Sequence, residues 1–246
     1  APVTIDSFFT NPDGWLVLPQ ELKFGNYELV EIQSPYGYTL SDKPIPFKVT
    51  SENPQEYLEV IMPNQPVMGK VTVEKTGDIL VGADRKTNKD FDLYIPQYAV
   101  SGLSGGVFDI IARGDIITPD GTVRAKAGEI VDTITTGIDG KAESKQLFLG
   151  DYYAIERTAP YGMVLNTHEH DFSLLYENQL AAIVFTQIGV HNQRQKAEII
   201  LTKHCEMPEN ADEDFNPYNG VIFGLYAAED IKSAGGEVII PADSLM

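Results

Sequence analysis

Gly150 to Leu165 reads GDYYAIERTAPYGMVL, a β-run that meets a rigid Ala-Pro turn, with Glu156 at the end of the run. Gly25 to Leu40 reads GNYELVEIQSPYGYTL and repeats the pattern. Gly25, Glu31, Pro35, Tyr36, Gly37 and Leu40 match Gly150, Glu156, Pro160, Tyr161, Gly162 and Leu165 at one constant spacing, 156 − 31 = 125. On a strand, side chains two apart share a face. Tyr27, Leu29 and Glu31 therefore share one face, with Asn26 and Glu28 opposite. Tyr152, Ala154 and Glu156 share the matching face of the second copy. Both glutamates fall on the side that reads as core.

Outward from this stretch the chain is built of short runs rich in Val, Ile, Thr and aromatics, separated by turn pairs such as Asp13-Gly14, Asp120-Gly121 and Asp139-Gly140. No long stretch keeps a helical period, so the residues predict an all-β protein of sandwich or barrel type. Further repeats set the domain plan. NQPVMGKVTVEK (Asn64 to Lys75) and NQRQKAEIILTK (Asn192 to Lys203) share one Asn-to-Lys spacing, 75 − 64 = 203 − 192 = 11. VTIDSFFTNPDG (Val3 to Gly14) matches EIVDTITTGIDG (Glu129 to Gly140), and VFDIIARGDI (Val107 to Ile116) matches IFGLYAAEDI (Ile222 to Ile231). Residues 1–67 read as the C-terminal part of a first module, 68–196 as a complete module and 197–246 as the N-terminal part of a third. Within the complete module, residues 84–106 form a long insertion between its first two strands, where a sandwich commonly carries binding function.

With 43% apolar and 22% charged residues, the chain can bury real cores. A net charge of −18 argues against nucleic acid and anionic membrane surfaces as partners. No apolar run approaches the roughly 18 residues of a membrane helix. There is neither an initiator Met nor a signal peptide, so the chain reads as a segment of a longer protein. The single Cys205 excludes an internal disulfide framework, so covalent reinforcement requires other chemistry.

Strand parity places two more polar side chains inward. Val71, Val73 and Lys75 share a face, as do Ile199, Leu201 and Lys203, whereas Lys70 falls on the opposite, solvent side. Ile188, Val190 and Asn192 line up in the same way, and so do Leu58, Val60, Met62 and Asn64. A buried lone charge costs several kcal/mol unless paired or neutralised. Desolvation favours the neutral amine of a lysine, a nucleophile, and favours the protonated form of a carboxyl group. An asparagine amide beside them is an electrophile whose leaving group is ammonia. The triple thus permits attack of Lys75 Nζ on Asn192 Cγ, with Glu156 shuttling protons and polarising the amide carbonyl. The alternative is an unreacted Lys–Glu ion pair beside a hydrogen-bonded Asn. Glu31, Asn64 and Lys203 are the corresponding residues of the part modules. The two ends of the chain could complement one another, within one chain or between chains.

The pattern G-x-Y-x-[LA]-x-E-x-x-[AS]-P-x-G, the early V-x-V-x-K strand and the terminal h-x-h-x-N strand resemble the B-type domains of the collagen adhesin Cna. They equally resemble the SpaA-type pilin domains of Gram-positive surface proteins. The resemblance covers nearly the whole chain, with Met163 in place of the usual aromatic and an unusually long insertion after Lys75. It implies tandem immunoglobulin-like or prealbumin-like β-sandwich modules of Greek-key type. It further implies an autocatalytic Lys75–Asn192 isopeptide bond assisted by Glu156, a single-turnover self-crosslinking and not an enzyme activity. The function it implies is a stalk or spacer module of an adhesin or pilus-like protein on the wall of a Gram-positive bacterium. Its partners would be neighbouring modules of the same chain, and no cofactor is needed. A second reading is an adhesin module whose 84–106 insertion, with Phe91, Tyr94 and Tyr98, contacts a host protein or glycan.

Rival signals are weaker. His168-Glu169-His170-Asp171 offers two histidines on one face of a strand, a possible start of a zinc site, but no second ligand cluster accompanies it, so it reads as a solvated strand edge. Asn210, Asp212, Asp214 and Asn216 alternate as in a calcium loop, yet Phe215 stands where glycine is needed and no Glu closes it. Ser101 to Gly106 lacks the strand-to-helix setting of a phosphate loop. Cys205 has no matched catalytic His and reads as an incidental thiol.

Overall fold

The structure, a computed structural model, describes residues 7–18, 21–52, 57–87, 92–206, 209 and 216–246. Phe91, Asn210, Asp212, Asp214 and Phe215 lie outside the described residues. Every regular element among those described is a β-strand, and none is a helix that could cross a membrane. The chain divides into two compact units. The smaller reaches to Val67 and includes Asn178–Ala182; the larger comprises Met68–Glu177 and Ile183–Met246.

The smaller unit contains β1 (Gly25–Leu29) and β2 (Ile45–Val49), antiparallel with Tyr27 opposite Phe47. Their rings stack at 5.5 Å, and the Tyr27 hydroxyl donates to the Lys23 carbonyl. Gln179 completes this unit: its carbonyl accepts from Leu40 N and its side-chain oxygen from Ser34 N.

The larger unit is a sandwich of two sheets. In the first, the long strand β3 (Met68–Thr87) pairs antiparallel with β4 (Asp92–Gly102), β9 (Lys141–Glu143) and β10 (Leu147–Phe148), and parallel with β13 (Ile183–Asn192). The second is the antiparallel ladder of β12 (His170–Leu174), β11 (Gly150–Thr158), β5 (Val107–Ala112) and β8 (Ile130–Thr135). Two small hairpins complete the unit: β6 (Ile116–Ile117) with β7 (Val123–Ala125), and β14 (Ile231–Lys232) with β15 (Val238–Ile240). The alternation along each strand selects the core: Val71, Val73 and Val190 from the first sheet, and Phe108, Ile110, Tyr152, Ala154 and Leu174 from the second, are all buried. Tyr152 stacks on Phe172 and its hydroxyl donates to the Phe148 carbonyl, repeating the Tyr27–Phe47 arrangement.

The 84–106 insertion is not an irregular connection. β3 runs on past the sandwich to Thr87 and pairs with β4 in a two-stranded ribbon, in register from Thr76–Gly102 to Thr87–Asp92 with one bulge at Leu80–Gly82. Pro96 is accommodated because β4 has a strand partner only in β3; its other contact is an isolated bridge between Leu93 and Leu245, with Tyr94 N donating to the Leu245 carbonyl.

The repeat holds at the level of single hydrogen bonds. Tyr38 N to Pro35 O recurs as Met163 N to Pro160 O, and Val67 N to Gly37 O as Gln195 N to Gly162 O. Residues 221–246 reproduce 106–131 at the constant shift 226 − 111 = 115. Ala112 N to Glu129 O recurs as Ala227 N to Ser244 O, and Ala127 N to Asp115 Oδ1 as Ala242 N to Asp230 Oδ1. Even the positive φ of Gly128 (80°) recurs, in Asp243 (59°).

Candidate functional site

Lys75, Glu156 and Asn192 meet between the two sheets of the larger unit. Lys75 and Asn192 lie on the adjacent parallel strands β3 and β13, where Lys75 stands opposite Val190 and Asn192 opposite Gly77. Glu156 comes from β11 in the facing sheet, opposite Phe108. Tyr152 and Ala154, one face with Glu156, are buried as parity predicts, and so are Val71 and Val73 with Lys75. The three polar side chains are nearly inaccessible to water: Lys75 is 0%, Glu156 2% and Asn192 1% exposed. Lys70, on the opposite face of β3, reaches Glu143 at the surface.

The geometry is directional. Lys75 Nζ lies 3.7 Å from Glu156 Oε1 and donates to the carbonyls of Val190 (3.1 Å) and Thr76 (3.3 Å). Asn192 Nδ2 donates to both Glu156 oxygens, at 2.9 and 2.7 Å. The Asn166 backbone N–H caps Glu156 Oε2 at 2.8 Å. Asn192 Oδ1 is buried without a hydrogen-bond partner. Burial strips the water that would stabilise an ammonium and pulls the Lys75 pKa below the ordinary 10.5; the neighbouring Glu156 carboxylate only partly opposes this. A lysine leaning toward the neutral amine, a carboxylate touching the amide nitrogen and a dry enclosure are together what amide exchange requires. Because the amide presents its nitrogen to Glu156, the carboxylate stands where it can pass a proton from Nζ to the departing nitrogen. Polarisation of the amide oxygen is not seen, since Oδ1 faces no donor.

Two glycines shape the wall. A Cβ on Gly106 would lie 3.4 Å from Lys75 Cγ. Gly140 has φ +77°, and a Cβ there would fall 2.4 Å from the Lys75 carbonyl oxygen. Its own carbonyl accepts from Lys75 N at 2.7 Å, so this turn sets the backbone of the lysine.

The part-module residues fare differently. Glu31 and Asn64 are half-buried and paired, with Asn64 Nδ2 donating to Glu31 Oε2 at 2.7 Å and Ser41 N capping the same oxygen at 2.7 Å. Among the described residues, this is the Asn192–Glu156–Asn166 arrangement without a lysine. Parity had placed Ile199, Leu201 and Lys203 on a core face; the structure instead leaves all three exposed, outside any strand, because no sheet partner lies along them.

Three contributors escaped the sequence reading. Asn166 stands ten residues past Glu156, as Ser41 stands past Glu31, so the repeat held its signal. The Val190 carbonyl follows from the parallel pairing of β3 and β13, which nothing local announces. His170, read as part of a solvated edge, is half-buried on the Phe172–Leu174 face, with Nε2 buried and unpartnered. Desolvation first, then His168 and Lys75, lower its pKa below 6.5, against the pull of Glu156. Glu169 and Asp171 do lie at the surface, where both engage Arg113. Among the described residues no group of three His, Cys, Asp or Glu is placed to hold a metal ion. Cys205 is half-buried, its thiol near the Pro217 carbonyl.

The fold defines a class of protein, the prealbumin-like β-sandwich. Residues 2–63 and 97–187 match the model of the SpaA prealbumin-like fold domain, and the chain belongs to that family. A search of curated proteins finds no match. Among solved structures, the Bacillus anthracis TIE protein is similar at 22% identity and a TM-score of 0.47, over 75% of this chain and 28% of that one. GBS52, the minor pilin of Streptococcus agalactiae, is 14% identical with a TM-score of 0.34, over 79% of this chain and 70% of that one. BcpA, the major pilin subunit of Bacillus cereus, is 21% identical with a TM-score of 0.29, over 52% and 29%.

Proposed function

We propose that this chain is a structural stalk segment of an extracellular, wall-attached adhesin or pilus-like protein of a Gram-positive bacterium. In this reading it comprises one complete module (68–196) and parts of two others (1–67 and 197–246). The complete module is locked by a Lys75–Asn192 isopeptide bond. The observation that carries the reading is the buried contact of Lys75, Glu156 and Asn192 on strands from both sheets. Neutral Lys75 Nζ attacks Asn192 Cγ. Glu156 accepts a proton from Nζ and delivers one to Nδ2; the Cγ–Nδ2 bond breaks and ammonia leaves. The mechanical benefit follows from topology. β3 and β13 are the first and last strands of the module and run parallel, so tension along the chain shears them. A covalent bond between them carries that load around the 76–191 segment.

In the ribbon Tyr94 is packed as a spacer requires, whereas Tyr98 is exposed as a ligand-binding module requires. Tyr94 is half-buried beneath the Arg85 guanidinium, and Tyr98, 43% exposed, carries Arg194 over its ring at 3.7 Å. Intact mass tests the main reading. The ordinary chain is expected one ammonia short of its sequence mass, and Lys75→Ala or Asn192→Ala should restore the full mass. Glu156→Ala should leave most molecules unreacted. An ordinary chain at full mass would sink the proposal.

A further inference from the structure

The reaction at Lys75 leaves one proton unassigned. In water a lysine is an ammonium, so Nζ enters the site with three hydrogens. The new amide keeps one and the departing ammonia takes one. Glu156 can pass a proton on but is poorly placed to store the third. Its two oxygens accept from Asn192 Nδ2 (2.9 and 2.7 Å) and from Asn166 N (2.8 Å), bonds that are strongest to a carboxylate. Tyr152 and Thr136 are no substitutes. The Tyr152 hydroxyl donates to the Phe148 carbonyl, with its pKa raised by burial, and Thr136 Oγ1 donates to the Leu103 carbonyl. Among the described residues, His170 is the remaining titratable side chain on this core face.

His170 stands opposite Ala154 in the β11–β12 ladder, so it shares the inward face of Ala154 and Glu156. The small side chain of Ala154 leaves room beside the glutamate. β12 and β13 are outer strands of the two sheets and pack side by side, which puts His170 at the seam where the site approaches solvent. Its Nε2 is buried without a hydrogen-bond partner, while the residue as a whole is only half-buried. Lys75 from β3 and Glu156 from β11 are the charged groups that act on it, and β13 presents the buried Val190 and Asn192. His168 precedes it on its own chain, Glu169 and Asp171 turn away to Arg113, and His191 lies outside beside Thr76. Burial, then His168 and Lys75, hold its pKa below 6.5 against the pull of Glu156. The ring is therefore neutral at ordinary pH, and it sheds a proton readily once it has taken one.

We infer that His170 is a proton-relay residue of the Lys75–Asn192 reaction: Nε2 takes the surplus ammonium proton through one bridging water, and Nδ1 releases a proton to solvent. The inference rests on the self-crosslinking reading of the Lys75 site. An imidazole suits the task because it accepts at one nitrogen while donating at the other. The protons balance. Nζ gives up two, one by way of His170 to water and one by way of Glu156 to Nδ2. The Nζ–Cγ bond forms, Cγ–Nδ2 breaks, ammonia leaves, and His170 and Glu156 return to their starting charge.

The rate of ammonia loss as a function of pH tests this. Ordinary and His170→Gln chains from a brief cell-free synthesis are quenched in denaturant, diluted into buffers from about pH 5 to about pH 10, and sampled by intact mass. Near neutral pH the variant should be slower by about tenfold or more. The ratio of the two rates should close toward one at both ends of the range. In acid, as pH falls through its pKa below 6.5, the ordinary chain's own imidazole is already protonated and cannot accept. In alkali Lys75, its pKa lowered below 10.5, arrives as the amine and needs no relay. Complete ammonia loss by the variant in alkali also shows that it folds. Equal rates near neutral pH would overturn the relay while leaving the cross-link standing. A rate ratio constant with pH, or a variant that never reacts, would make His170 a packing residue and overturn it too. An ordinary chain that keeps its full mass at every pH would overturn the Lys75–Asn192 reading itself, and the relay with it.

Discussion

Replacing Lys75 with methionine removes the nucleophile but keeps an unbranched stem in the space between Val73, Gly106 and the facing sheet. The expected cost is therefore mainly the lost cross-link. Lys75 and Asn192 close a loop of 192 − 75 = 117 residues. By analogy with a disulfide of that span, the closure restrains the unfolded chain by about 5 kcal/mol. For a module of this size that corresponds to a fall in melting temperature on the order of 15–20 °C. Glu156 keeps its contacts with Asn192 Nδ2 and Asn166 N, so the carboxylate is not orphaned. Thermal unfolding of Lys75→Met beside the ordinary chain, each with its mass determined, is the assay. If the ordinary chain has lost ammonia and the variant still melts within about 3 °C of it, the loop-closure argument is refuted.

Two further outcomes follow from the site. In Asn192→Ala, which cannot close, Lys75 keeps a folded pKa lowered below 10.5 by burial. Between those two values the unfolded chain binds more protons than the folded one, so stability should climb with pH across that window and stay level below it. Denaturant unfolding across alkaline pH, compared with Lys75→Met/Asn192→Ala, reads this; identical slopes would contradict it. Gly140→Ala should cost at least about 2 kcal/mol, because its φ of +77° disfavours a side chain and its Cβ would meet the Lys75 carbonyl. It should also slow ammonia loss by shifting the Lys75 backbone. A stability change under about 0.5 kcal/mol would show that the turn yields freely.

The site was largely legible because its information is local and repeated. Strand alternation needs only neighbouring residues, and it put Glu156 with Tyr152 and Ala154, and Lys75 with Val71 and Val73, where the structure has them. The ribbon was not legible. Its two strands lie partly in solvent on both faces, so no burial pattern marks them, and it is mainly hydrogen bonding between Thr76–Thr87 and Asp92–Gly102 that makes them strands. Lys203 shows the converse limit. Its parity matches that of Lys75, yet a side chain is buried only when a facing strand arrives, and none does.

The sequence by itself determined the core strands of the sandwich, their inward faces and the identity of the three inward polar residues, because period and repeat are properties of the chain. Only the tertiary structure decided how those residues meet. The parallel pairing of β3 with β13, two strands more than a hundred residues apart, sets Lys75 against the Val190 carbonyl and Asn192 within the same dry space. The facing sheet then brings Glu156 to the amide nitrogen, leaving the amide oxygen without a donor. That orientation comes from packing between distant segments. It is why GDYYAIERTAPYGMVL identifies the glutamate, while only the folded sandwich reveals which atom of Asn192 it touches.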